Sequence, residues 1–206
     1  MTVSLMLLRR LTRSRCGIAI TDRFNGDDAL DDAINQAVQT LETEQRWPWQ
    51  EAVANPTISA PTTALSMPSD WRATRSLFIG DDELSAIAPS DLYLRDLTQS
   101  GQPEVFAAIG NAIEVRPVPA TDYTFIHLYY RTSAALVDDA DALTMPDQFA
   151  GAVISKAAEL LSIREDDRTA AAAHLAEYLQ WVQRIRRDVR RTTGPVRIRV
   201  REGSWI

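Results

Sequence analysis

The stretch Gly110–Gln148, GNAIEVRPVPATDYTFIHLYYRTSAALVDDADALTMPDQ, decides the fold of this chain because it connects a predicted β-region to a predicted helical C-terminal part. Gly110-Asn111 is a dipeptide that tolerates positive φ, and short apolar runs flank it on both sides, which predicts a two-residue β-hairpin. Pro117 and Pro119 predict the end of the second strand, because proline cannot donate a hydrogen bond to a β-ladder. After the next strand and an acidic loop, Pro146 predicts the first turn of a helix.

The strand predicted at Tyr123–Arg131 carries largely apolar residues on both of its faces. One face presents Tyr123, Phe125, His127 and Tyr129, and the other presents Thr124, Ile126, Leu128 and Tyr130. A strand of this kind is covered on both sides. The second cover is either the core of the same chain or a neighbouring subunit, and in the latter case Tyr129 or Tyr130 is predicted to lie at the subunit contact.

Apolar residues at helical spacing predict most of the remaining structure. Helices are predicted at about residues 3–14, 27–46, 89–97, 147–164 and 167–192. A β-region is predicted at about residues 57–131, and the last two helices are predicted to pack as an antiparallel pair. The predicted fold class is therefore mainly α with a small inserted β-region (α+β). We expect one domain over about residues 1–192, followed by an extended C-terminal tail over about residues 193–206.

The charge of the chain is distributed unevenly. The net charge is -6, yet the C-terminal segment from Arg184 reads RIRRDVRRTTGPVRIRVREGSWI and is rich in arginine, so the rest of the chain is more acidic than the total suggests. The first arginines fit a solvated helix end that complements the helix dipole. Val196–Arg201 alternates apolar and cationic residues, which predicts a strand with one face of each kind. Arginine in this setting favours carboxylates or phosphates on a partner.

No residue of the chain is predicted to be catalytic, to bind a cofactor or to bind a metal. The sequence contains no GxGxxG, P-loop, GxSxG or HExxH motif. His127 lies in the aromatic strand and is predicted to be a packed residue. His174 and Glu177 share a helix face, but a di-metal site needs a second such pair. The acidic loop at 138–141 resembles half of a calcium loop, without its glycine and distal glutamate, and is predicted to be solvated.

The single cysteine and the N-terminal region give further limits. A chain with one cysteine, Cys16, cannot form an intramolecular disulfide or a cysteine-based zinc site, and it fits a reducing compartment. Cys16 is predicted to be an unreactive thiol near a helix end. Val3–Leu8 is a short apolar run followed, not preceded, by arginines, which is the wrong order for a signal peptide. No apolar run approaches the length of a membrane span, so we expect no membrane partner.

Several segments occur in a characteristic order along most of the chain. They are Trp47-Pro48-Trp49 at the end of an early helix, MPSDW at 67–71, Gly101-Gln102-Pro103, IEVRPVP at 113–119, YTFIHLYYR at 123–131 and MPDQF at 145–149. In this order and spacing the chain resembles the head-to-tail adaptor proteins of tailed bacteriophages, also called head completion or connector proteins. No single segment is diagnostic, and members of this family differ most at their C-termini.

The resemblance implies a structural virion protein rather than an enzyme. Such a protein forms a dodecameric ring beneath the portal protein after genome packaging, extends the DNA channel and offers a docking surface to a tail or stopper protein. Genomic DNA would pass through the lumen without sequence recognition. The implied location is the neck of the virion, at the head-tail interface, and the host cytoplasm during assembly.

Within this resemblance, the C-terminal tail is the predicted portal-binding element. Its strand pattern predicts that it adds to a sheet edge or fills a cleft, with Trp205 as an anchor. The predicted portal-binding residues are Arg190, Arg191, Val196, Arg197, Ile198, Arg199, Val200, Arg201, Trp205 and Ile206.

Two other classes of function remain open from the sequence. One is a nucleic-acid-binding protein that uses the arginine-rich C-terminal segment, which predicts phosphate contacts and a steep loss of affinity with salt. The other is a small enzyme with an unrecognised carboxylate site, although no acid and base are clustered in the sequence.

Overall fold

A computed structural model describes residues 2–17, 28–96 and 98–192 of the chain. These residues divide into two compact units. The first, which we call the helical unit, draws its described residues from Met1–Leu41 and Leu136–Ile206. The second, the β-unit, is Glu42–Ala135. The β-unit is therefore an insertion between two segments that together build the helical unit.

The elements of the described residues are as follows. The helices are α1 (Leu5–Cys16), α2 (Asp28–Glu44), α3 (Pro89–Tyr93), α4 (Ala150–Arg164) and α5 (Arg168–Thr192). The strands are β1 (Glu51–Ala54), β2 (Thr57–Ile58), β3 (Ala64–Ser66), β4 (Trp71–Ile79), β5 (Asp82–Glu83), β6 (Ser85–Ala86), β7 (Ser100–Gly101), β8 (Val105–Ile109), β9 (Ala112–Arg116), β10 (Val118–Pro119) and β11 (Tyr123–Arg131).

In the helical unit, α4 is the central element of the packing. It contacts α1 and α5, and it is buried over most of its circumference. Its neighbours contribute narrower apolar stripes, which is the usual pattern for helices with one solvated side. The main buried side chains are Leu5 and Leu8 of α1, Val153, Ala157 and Leu161 of α4, and Tyr178, Val182 and Ile185 of α5.

The chain runs in opposite directions along α4 and α5. Gly151, at the start of α4, lies against Trp181, whereas Lys156, further along α4, lies over the ring of Tyr178. As α4 advances, its contacts therefore move backwards along α5. The turn between the helices contains Asp166, which adopts a positive φ of 59°. Asp167 precedes α5, and its side-chain Oδ1 accepts a hydrogen bond from the Ala170 amide, which caps the start of the helix.

In the β-unit, two sheets share one apolar core. The first sheet has the order β1-β11-β4-β5, with β2 paired to the start of β11, and the second has the order β3-β9-β8-β6. All pairings in these sheets are antiparallel except that of β6 with β8. The core consists of Ile58, Leu65, Leu77, Leu84, Phe106, Ile113, Val115 and Phe125. Because these side chains come from both sheets, the sheets are packed face to face.

The hairpin and the aromatic strand lie where the sequence placed them. Ile109 pairs with Ala112 across Gly110-Asn111, and Gly110 has a φ of 58°, a conformation that favours glycine. β11 spans Tyr123–Arg131, as expected. Trp47, at the entrance to the β-unit, is fully buried and its ring is stacked on Trp49 at 4.9 Å between centroids.

The bounds of several helices and strands, and the proportion of helix to strand, differ from those that the sequence predicts. The fold is mixed α+β rather than mainly α, with about 44% of the described residues in helices and 26% in strands. The strands begin at Glu51 rather than near 57, because β1 is a short strand that depends on pairing with β11. α1 is two residues later than expected, α2 ends at Glu44 and α3 ends at Tyr93. Pro119 does not end all pairing, since β10 lies parallel to β7.

Candidate interaction surfaces

The exposed arginines of α5 form one candidate surface. Arg184, Arg187 and Arg190 are exposed on this helix, and the guanidinium of Arg184 lies 5.1 Å from the ring centroid of Trp181. Arg184 and Arg187 line a shallow cavity of about 340 Å³ together with Glu177. Arg184 Nε lies 4.0 Å from Asp188 Oδ2, an ion pair within α5. The remaining N–H groups of a guanidinium that lies over an indole suit a carboxylate or phosphate ligand.

The predicted portal-binding residues are only partly visible in the structure. Arg190 is exposed near the end of α5, and Arg191 belongs to the same helix. The predicted residues Val196, Arg197, Ile198, Arg199, Val200, Arg201, Trp205 and Ile206 lie outside the described residues. The described helix thus brings the first arginines to its C-terminal end, where a cation is favoured by the helix dipole.

The two tyrosines predicted for a subunit contact differ in exposure. Tyr129 is buried within the β-unit, and its hydroxyl donates a hydrogen bond to Asp70 Oδ1 at 2.9 Å. Burial, assisted by the neighbouring Asp70, raises the pKa of Tyr129. Tyr130 is half-buried, and the guanidinium of Arg46 lies 5.6 Å from its ring centroid. Of the two side chains, Tyr130 therefore keeps more surface for a partner.

The two faces of β11 are not equally covered in this chain. Phe125, His127 and Tyr129 point into the core, whereas Ile126 on the opposite face is 39% exposed. Val53 of β1, which pairs with Leu128, is 60% exposed. We call this partly uncovered side the outer face of the first sheet. Among the described residues, the second cover expected for the aromatic strand is thus incomplete.

His127 is a core residue rather than a base. Its ring is fully buried, lies 5.1 Å from the ring of Tyr129, and its Nε2 is 3.0 Å from Thr74 Oγ1. Thr74 Oγ1 also accepts a hydrogen bond from Trp71 Nε1 at 3.1 Å. Burial lowers the pKa of His127, so the neutral form is favoured in the folded chain. The packed role expected from the sequence agrees with this environment.

The acidic loop at 138–141 caps helix α1. The backbone amides of Leu5 and Met6 at the start of α1 donate to the carbonyl oxygens of Asp141 and Asp139, at 2.8 and 3.2 Å. The Asp141 carboxylate accepts the amides of Val137 and Asp138, and these bonds lower its pKa. The loop thereby satisfies helix amides that would otherwise lack an acceptor. Sequence reasoning missed this role because a carbonyl acceptor leaves no signature in the side chains.

Glu177 and Cys16 are the other residues whose side chains the sequence singled out for possible chemistry. Glu177 pairs with Arg15 at 2.8 Å, so it is engaged in an ion pair within the helical unit. Burial, followed by the nearby Glu165, raises the pKa of the Cys16 thiol to about 11. Among residues 2–17, 28–96 and 98–192, no group of His, Cys, Asp and Glu has an arrangement that could hold a metal ion.

A groove in the β-unit is a surface that the sequence analysis did not identify. One side of β4 pairs with β11, whereas on its other side β5 reaches only Phe78 and Ile79. The first part of β4 therefore has an edge with no strand beside it in the described chain. The groove at this edge has a volume of about 360 Å³, and its lining includes Arg46, Arg72 and Arg75. These arginines have no periodicity in the sequence, and only the fold brings them together.

Comparison with known families gives the class of the chain. A family model described as SU10 adaptor protein matches residues 5–199, which is nearly the whole chain. The chain therefore belongs to the SU10 adaptor protein family, a bacteriophage head-to-tail adaptor family. No curated protein matches it significantly. In the part of the chain that the structure describes, no helix combines the length and apolar character needed to cross a membrane.

Proposed function

We propose that this chain is a structural component of the virion neck that joins the portal protein to a tail or stopper protein. The observation that carries the proposal is the match to the adaptor family over residues 5–199. A protein of this kind acts through its surfaces and needs no catalytic centre. The mixed fold supports the proposal, because the helical unit and the β-unit each present exposed side chains that could contact different partners.

In this proposal, the portal is bound by the end of α5 and the tail that follows it. Arg190 and Arg191 would contact carboxylates of the portal, and Val196–Arg201 would add as a strand to a sheet edge or fill a cleft. Trp205 would be the apolar anchor, since aromatic residues in enclosed pockets contribute strongly to protein interfaces. The exposure of Arg190 at the end of a helix supports this arrangement.

We further propose that copies of the chain assemble as a ring, dodecameric by resemblance to the family, around a DNA channel. The outer face of the first sheet supports a subunit contact near Tyr130, because Val53 and Ile126 leave apolar surface uncovered on that side. The net charge of -6 supports a conduit through which genomic DNA passes without adhering. The chain would act in the virion neck after assembly in the host cytoplasm.

A second candidate function is nucleic-acid binding through the same arginines. The observation that favours it is the set of exposed cations Arg184, Arg187 and Arg190 on one helix. A protein that binds the DNA backbone through these residues loses affinity steeply as salt rises, because each phosphate contact releases counterions. A gel-shift titration of duplex DNA at low and moderate salt measures this property directly.

Truncation after Gly194 tests the proposed portal attachment. The full chain and the truncated chain are each mixed with the cognate portal ring and separated by sedimentation. We expect the full chain to co-sediment with the portal and the truncated chain to remain free, with an unchanged circular dichroism spectrum as evidence of folding. Equal co-sedimentation of both chains would show that the tail is not the attachment element.

A further inference from the structure

The unpaired edge of β4 leaves strand-bonding groups without a strand beside them. In the β-unit, β4 is bonded to β11 along its length, but β5 covers only its last two residues. The free portion, Arg72–Ser76, is about 17 Å long at the usual rise of a strand. Exposed edges of this kind can accept an additional extended segment through main-chain hydrogen bonds.

The groove beside this edge is bounded by β4 and by the second sheet. The first part of β4 forms one side, and residues of the second sheet and its connections, including Ile87 and Phe106, form what we call the groove floor. Phe106 is buried and Ile87 is half-buried, so the floor of the groove is apolar. An incoming strand with apolar residues at alternate positions could pack one face on this floor.

The charge of the groove determines which segment it suits. Its lining contains Arg46, Arg72 and Arg75 and no aspartate or glutamate. Arg75 pairs with Glu51 at 2.6 Å, whereas Arg72 donates to the carbonyl oxygen of Glu42 and Arg46 lies over Tyr130. In the described part of the chain neither Arg46 nor Arg72 has an ion pair, and Glu51, which pairs with Arg75, also lies 3.5 Å from the Tyr130 hydroxyl. The three arginines outnumber this carboxylate, so the groove favours carboxylates on the added strand.

We propose that the groove binds an extended acidic segment of a partner protein, which adds as a strand to the free edge of β4. The alternating carboxylates of the segment would contact Arg46 and Arg72, and its apolar residues would face the groove floor. The arginine-rich tail of this chain is a poor occupant because its charge has the same sign as the groove. The proposal rests on the proposed function only in that the partner would be another neck component.

The probe is a capped synthetic peptide, Thr-Val-Glu-Val-Glu-Thr, added to the full chain. Amide resonances and hydrogen exchange are followed by NMR spectroscopy. We expect saturable binding, shifted resonances along Arg72–Ser76 and slower exchange of the amides on the free edge. An analogue that carries lysine in place of glutamate and one with alternate N-methylated amides are expected to bind at least tenfold more weakly.

A matched pair of variants tests the role of charge. Arg46→Glu places a negative charge in the groove and is expected to weaken peptide binding roughly tenfold. Arg95→Glu makes the same change at an exposed site of the β-unit outside the groove and is expected to leave binding unchanged. Circular dichroism spectra of both variants check that the fold is retained.

Several outcomes would overturn the proposal. They are absence of peptide binding, binding without protection of the β4 amides, equal loss in both variants, and preferential binding of a DNA oligonucleotide at the groove. Because the experiment uses the isolated chain, these outcomes do not depend on portal attachment. Conversely, a chain that binds the peptide but not the portal would retain this proposal and contradict the proposed function.

Discussion

Gly151 of α4 lies directly against the indole of Trp181 in α5, so closely that a Cβ atom at position 151 would be 2.5 Å from Trp181 Cε2. This approach brings the backbone of α4 against the aromatic face of α5. Trp181 also lies under the guanidinium of Arg184. The glycine therefore links the packing of the helical unit to the position of the exposed arginines.

Gly151→Ala is expected to destabilise the chain by about 1–3 kcal/mol, because the added methyl group overpacks the contact with Trp181. Urea denaturation measures the change. In a Trp181→Ala background the clash is removed, and the same substitution should stabilise the helix by about 0.5–1 kcal/mol through propensity alone. The absence of this sign reversal would contradict the packing account. Gly101→Ala is a suitable control, since its Cβ would lie 3.9 Å from Pro117, an ordinary contact.

Ser133→Ala is expected to cost about 1–3 kcal/mol of folding free energy. Glu42 is almost fully buried, and its carboxylate accepts hydrogen bonds from the amide and the hydroxyl of Ser133. Removal of the hydroxyl leaves a buried charge with fewer donors. Ser90→Ala, at an exposed position, should change stability by less than about 0.5 kcal/mol. Equal urea midpoints for the two variants would refute this role of Ser133.

His127 predicts a loss of stability in mild acid. Its folded-state pKa lies below the ordinary value of about 6.5, so the unfolded chain binds more protons as pH falls below that value. The stability that depends on a neutral His127 is therefore fully present above a pH of about 6.5 and is lost as the pH falls below that value. His127→Gln should flatten the dependence of the urea midpoint on pH between about 5 and 7. An unaltered slope in His127→Gln would rule out the buried imidazole as the cause.

Cys16 is expected to react slowly with thiol reagents. Its raised pKa of about 11 leaves little thiolate at pH 8, and the thiolate is the reactive form. Alkylation of the folded chain by iodoacetamide should be roughly 100-fold slower than that of the urea-unfolded chain, whose thiol has a pKa of about 8.5. Similar rates in the two states would indicate an exposed, ordinary thiol.

The sequence predicts the elements whose signals lie within a few neighbouring residues. The Gly110-Asn111 turn and strand β11 could be read from nearby residues, and the long apolar stripe of α5 was equally clear. β1 and β2 are only four and two residues long, and each exists through pairing with β11, far along the chain. No short window of sequence contains that partner, so the β-region was underestimated.

The interaction surfaces show the same limit. The arginines of α5 were evident as a run, whereas the groove at β4 combines Arg46 with Arg72 and with residues of the second sheet. Likewise, the sequence predicts a solvated loop at 138–141 but gives no sign of its carbonyl contacts with α1. Those contacts, like the ion pair between Asp139 and Arg9, join the loop to a helix at the other end of the chain. Sites that form across such distances require the fold.

Electron cryo-microscopy of the full chain mixed with its cognate portal ring is the most direct test of the adaptor proposal. The same chain alone and the chain truncated after Gly194 are imaged alongside. The account predicts an added ring of density beneath the portal, with the segment after α5 seated in a portal cleft, and no added ring for the truncated chain. Unchanged portal particles in the presence of the full chain, together with retention of the chain on DNA, would contradict it.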